Sequence, residues 1–167
     1  MTHIISNRHL TIEKVNEIVT KGLKLELSRE SEAAIVKCRK FLDSKMGDIG
    51  RPVYGITTGF GSLCNITIPA EDLSQLQHNL VMSHACGTGE EVRPEIVKLM
   101  LLLKVQSLSY GHSGVQLITV QRLIDMFNND ILPVVYQQGS LGASGEFQKM
   151  LICILVFMKE CINFQNI

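Results

Sequence analysis

Apolar residues recur at helical spacing along most of the chain, and a few glycine- and proline-rich places divide that recurrence into elements. Ile12, Val15, Ile18 and Val19 follow i, i+3, i+6, i+7, with Thr11 placed to cap a helix and Gly22 to end it. Ala34, Ile35, Cys38, Phe41 and Leu42 predict a second helix with one apolar stripe, capped by Ser28 or Ser31 and ended by Gly47. The period then disappears. RPVYGITTGFGSLCNITIP, residues 51–69, mixes glycine, proline and β-branched residues and predicts a loop with a short strand. Helical spacing returns after Pro69 with Leu73, Leu76, Leu80 and His84 on one face, and Gly87 and Gly89 stop it. Pro94 opens a strongly apolar helix through Ile96, Leu99, Met100 and Leu103, which Gly111 and Gly114 break. Residues 115–127 repeat the pattern before Pro133 begins an irregular stretch, and GSLGASG at 139–145 leads into a last apolar helix. No repeat or linker interrupts this order, so residues 1–167 are expected to form a single, mainly α unit.

Charge and composition narrow the function classes. Sixteen Lys+Arg balance sixteen Asp+Glu, which leaves no electrostatic footprint for nucleic acid or an anionic membrane, and neither partner is expected. The first ten residues carry His3, Arg8 and His9 but no apolar export signal, so the default location is cytoplasmic. Cys38, Cys64, Cys86, Cys153 and Cys161 are odd in number and contain no C-x-x-C pair, which fits reduced thiols and no metal site. The run MLICILVFM at 150–158 is shorter than the ~20 residues a bilayer span needs and suits an element buried on all sides.

Three places could carry chemistry: Tyr54 within YGITTGFG, His84 at the end of its helix, and GSLGASGE at 139–146. Singly, each has a plain structural explanation. A phosphate cradle at Gly55, Gly59 and Gly61 lacks the Gly-Lys-Ser/Thr ending, and a loop tyrosine is often held by packing of its ring. A lone histidine on an apolar face is more often a core group with a satisfied hydrogen bond. GSLGASG lacks the G-x-S-x-G context of a hydrolase nucleophile.

Together and in this order, PVYGITTGFGSL at 52–63, LQHNLVMSHACGTGE at 76–90, LKVQSLSYGHSGV at 103–115 and GSLGASGE at 139–146 resemble the aromatic amino acid ammonia-lyases. The pair Ser83 and His84 is most similar to the histidine-specific branch, since the phenylalanine and tyrosine branches carry an aromatic or His followed by Leu there. The resemblance implies the N-terminal part of the helical, fumarase/aspartase-like architecture, with glycine-rich loops and a short strand. It also implies elimination of ammonia from L-histidine to give trans-urocanate.

The prosthetic group implied is methylidene-imidazolone, which in that family forms when an Ala-Ser-Gly triplet cyclises and loses water. Ala143, Ser144 and Gly145 match it, and no external cofactor or metal is implied. The residue types suit that chemistry, because a small alanine leaves its carbonyl accessible, glycine lets its own nitrogen bend back onto that carbonyl, and serine supplies the hydroxyl lost. Tyr54 matches the catalytic tyrosine that removes the β-proton, while Ser83 and His84 match substrate-binding positions. The chain departs from the family after the triplet, where Glu146, Phe147, Gln148, Lys149 and Met150 replace the usual Asp-Leu-Ala-Pro-Leu. Family members are also longer and build their sites from several subunits of a homotetramer. The expectation is therefore a chain truncated before the rest of the helical bundle, inactive alone and in need of a homo-oligomer or a C-terminal region. The alternative is a non-catalytic, lyase-like chain acting as an oligomerisation or partner-binding module.

Overall fold

The computed structural model describes residues 1–46, 58, 66–72, 75–76, 78–79, 82 and 87–139. Its first unit is a parallel strand pair closed by a short helix: β1 (Thr2–Ile5), α1 (Ile12–Thr20) and β2 (Lys24–Leu27), with Thr2 opposite Lys24 and Ile5 opposite Leu27. Thr11 is extended and its hydroxyl accepts from the Lys14 amide at 3.3 Å, satisfying a donor that the first helical turn leaves unpaired. At the other end Gly22 sits at φ +59°. Its amide reaches the Val19 carbonyl and the Leu23 amide reaches that of Ile18, a Schellman ending that glycine adopts without a Cβ penalty. The chain thereby reverses straight into β2, whose Leu25 and Leu27 point inward while Lys24 and Glu26 point out.

These two strands were not legible in the helical pattern. Each has only four residues, too few for alternation to stand out, and they pair only because α1 returns the chain alongside β1. Asn128 completes the strand edge: its side-chain oxygen accepts from the Leu25 amide at 2.7 Å and its nitrogen donates to the Leu25 carbonyl at 2.9 Å.

Helix α2 (Arg29–Met46) starts at Ser28, whose hydroxyl accepts from the Ser31 amide at 3.2 Å; Gly47 lies outside the described residues. Ser31 and Ile35 are its buried positions, whereas Phe41, expected in the stripe, is 64% exposed. The face is set by a close approach: a Cβ on Gly111, at φ +69°, would stand 2.7 Å from the Ala34 carbonyl carbon. Glycine at 111 lets the next helical corner press against α2 backbone, and Phe41 is left outside.

Helices α3 (Pro94–Ser109) and α4 (Leu117–Asn128) form an antiparallel pair over this unit. Pro94 is at the start of α3, as its fixed φ favours. So apolar a helix is expected to be nearly surrounded by protein; its buried face runs through Val97, Leu101, Leu102, Val105 and Leu108, while Ile96 and Leu103 are 40% and 52% exposed. With apolar residues nearly all round this helix, periodicity could not choose the face, and packing against α4 did. Ile5, Ile18, Leu25, Ile35, Leu102, Val105, Val120, Leu123 and Phe127 meet in one core. Likewise Ile12, the first apolar residue of α1, is exposed while Ile18 is fully buried.

A second, antiparallel pair joins β3 (Thr88–Glu91) to β4 (Tyr136–Gln138). The sequence pattern read Gly87 and Gly89 only as helix stops. Residues 75, 76, 78, 79 and 82 are helical, as expected there, while Leu73, Leu80 and the run at 150–158 lie outside the described residues.

Candidate functional site

Tyr54, Ser83, His84, Ala143, Ser144 and Gly145 all lie outside the described residues. The structure instead describes the backbone that carries three of their segments. Thr58, four residues beyond Tyr54 in sequence, forms an antiparallel bridge with Thr67. Thr58 is buried, unlike Thr67.

Described residues next in sequence to the other two segments pair in the β3–β4 ladder. Thr88 is opposite Gln138 and Glu91 opposite Tyr136, so three steps along β3 match two along β4. This is a β-bulge, and Gly89 at φ +83° supplies the conformation it needs. The Val92 amide donates to the Val135 carbonyl at 2.7 Å, and Val135 is buried, which anchors one end of the ladder. Because the strands are antiparallel, Gly87 and Gly139 flank the opposite end. His84 is four residues before Thr88, and Ala143 is five after Gln138. Sequence reading gave the glycines of β3 no role beyond ending a helix, and no local pattern could have revealed their partner ~50 residues away.

The charged groups that the structure describes lie elsewhere. A cleft of about 540 Å³ is bordered by His3, Arg8, His9, Lys14, Glu30 and Gln106. Gln106 donates to the Ser6 and Arg8 carbonyls at 2.8 and 3.2 Å, and Ser109 to Ser6 at 3.2 Å, stapling the segment after β1 to α3. Burial, and then the charge of Lys14, hold His3 below its ordinary pKa. Lys14 is itself paired with Glu17 at 2.6 Å, and Glu30 accepts from Asn7 at 3.0 Å, so the cleft has no strong field of one sign. Hydrogen bonds from Lys14 and Lys21 lower the Glu17 carboxyl to about 2. Burial lowers the pKa of Lys104 on α3. Among the described residues no group of three or more His, Cys, Asp or Glu could hold a metal ion, and no helix is long and apolar enough to cross a membrane.

Residues 10–158 match the family model described as aromatic amino acid lyase. The chain is 40% identical over 157 residues to a histidine ammonia-lyase of Streptococcus gordonii, covering 93% of this chain and 30% of that protein. It is 45% identical over 144 residues to a histidine ammonia-lyase of Deinococcus radiodurans, covering 86% of this chain and 27% of that protein. Among solved structures, histidine ammonia-lyase from Trypanosoma cruzi superposes with a TM-score of 0.76 at 35% identity, over 93% of this chain and 29% of that one. The chain thus spans under a third of the length of these relatives.

Proposed function

This chain belongs to the aromatic amino acid lyase family, and on that premise we propose that it supplies the N-terminal share of a site that eliminates ammonia from L-histidine to give trans-urocanate. The observation that carries the reading is the match of residues 10–158 to the aromatic amino acid lyases; beside it, the β3–β4 ladder sets Thr88 opposite Gln138, which are four and six residues in sequence from His84 and Ser144. The histidine ammonia-lyase relatives support the choice of substrate.

In this reading Tyr54 takes a proton from the substrate's β-carbon, electrons of that C–H bond form the carbon–carbon double bond, and the carbon–nitrogen bond breaks to release ammonia. A phenol ionises near ~10, so its surroundings must assist it near neutral pH. Ser83 and His84 hold the substrate. Ala143, Ser144 and Gly145 have the composition that methylidene-imidazolone formation requires, and that group, once formed, supplies the electrophile that makes the amine a better leaving group. Residues 1–167 act as one unit of a cytoplasmic homo-oligomer, completed by residues that the longer relatives carry beyond the matched region. Incubating the purified chain with L-histidine, beside a version extended by the corresponding C-terminal region of a relative, should give urocanate absorbance at least in the extended chain. Absence of urocanate from both would overturn the reading.

One observation favours a second reading, a non-catalytic partner-binding chain: Ile96 and Leu103 leave apolar surface on the outer side of α3. An intact mass separates the two, because cyclisation of the triplet removes two waters, about 36 Da. A full-mass chain favours the second reading.

A further inference from the structure

We propose that Gly87 and Tyr136 are a positioning pair: the bare backbone of Gly87 seats the Tyr136 side chain, and this contact sets the register at which the segments bearing His84 and Ser144 leave the ladder. The inference rests on the lyase reading above. A Cβ on Gly87 would stand 2.7 Å from Cδ2 of Tyr136, 3.2 Å from its Cβ and 3.3 Å from its Cγ. Those atoms are the root of the side chain, not its free end, so any larger residue at 87 must displace Tyr136 itself. One step along, a Cβ on Gly89 would meet Cδ of Gln138 at 3.3 Å. Two alternate positions of β4 therefore lie across Gly87, just before β3, and Gly89 within it.

Register in most strand pairs is imposed by burial of one face, since slipping by one residue would turn the apolar set to water. That constraint is missing here, because all four residues of β3 are exposed. The buried Val135, bonded to the Val92 amide, anchors one end; at the other, the bulge at Gly89 and the seat at Gly87 hold the register. A slip of one residue moves the attached chain by ~3.3 Å, while catalytic groups tolerate misplacement of only ~1 Å before losing about a hundredfold in rate. A loose ladder would thus be costly to a site built on both of its strands even though the fold itself would persist.

The test uses the 167-residue chain, Gly87→Ala, Tyr136→Ala and the double substitution, following the fraction of molecules that has lost two waters by intact mass. Gly87→Ala should slow that loss about tenfold with thermal unfolding unchanged, and the double variant should match Tyr136→Ala, because the added methyl is silent once the ring is gone. Parental behaviour of Gly87→Ala, or a double variant slower than Tyr136→Ala, would overturn the pair. Tyr136→Trp enlarges the same contact without altering the backbone and should also slow the loss; an unchanged rate there overturns the proposal even if Gly87→Ala fails to fold. If the parent loses the two waters only when extended by the C-terminal region of a relative, the same variants are read in the extended chain; full mass in both forms of the parent overturns the lyase reading itself, and so is told apart from failure of the pair alone.

Discussion

The packed unit of β1, α1, β2, α3 and α4 and the β3–β4 ladder are held by different physics. In the first, Ile5, Ile18, Leu102, Val105 and Val120 are fully buried, and side-chain hydrogen bonds tie elements together, from Gln106 to Ser6 and Arg8 and between Asn128 and Leu25. In the second, β3 is wholly exposed and pairing rests on backbone bonds, a bulge and glycines facing larger side chains. Burial gives stability that is hard to perturb from outside. Backbone register without burial gives little stability but fixes where two distant segments leave together. A change in the packed unit should therefore be felt in unfolding, and one in the ladder or its attached segments in chemistry.

The largest effect should come from the packed unit. Leu102→Ala removes a fully buried side chain where α3 meets α4, and should lower unfolding free energy by about 2–5 kcal/mol in denaturant titrations. A change near zero would mean that the helix pair is not the foundation of the fold. Next comes Tyr54→Phe, which in an active chain should reduce turnover ~10²-fold or more without altering stability, since it keeps ring volume and removes the proton acceptor. Retention of most of the rate would assign Tyr54 to ring packing. Asn128→Ala strips both hydrogen bonds from the Leu25 backbone and should cost about 1–3 kcal/mol, read as faster amide exchange in β1 and β2.

The smallest effect concerns acid. The folded pKa of Glu17 is about 2, below its ordinary 4.5, so its two lysine pairs favour the folded state above that ordinary value. The contribution fades as pH falls from ~4.5 towards ~2. Because the pairs are solvent-exposed, Glu17→Gln should flatten the acid limb of the unfolding curve only slightly. A large flattening would mean that α1 depends on these charges rather than on Ile18.

Helix existence was legible because its signals are local. Thr11, Ser28 and Pro94 act within their own first turns, and Gly22 acts by permitting a single backbone conformation. The family resemblance was legible for the same reason, since YGITTGFG and GSLGASGE are contiguous, and the match to residues 10–158 covers both. Which way each helix faces was not. Phe41 and Leu103 are as apolar as Ile35 and Leu102, and only the approach of Gly111 to Ala34 and the meeting of α3 with α4 put one of each pair inside. Both strand pairs were also beyond the sequence pattern. Strands of three or four residues carry too few alternations to declare themselves, and their hydrogen-bond partners lie 22 residues away for Thr2 and 50 for Thr88. Backbone pairing at such separations has no local signature, so the pairing of β3 with β4 was decided by tertiary structure alone.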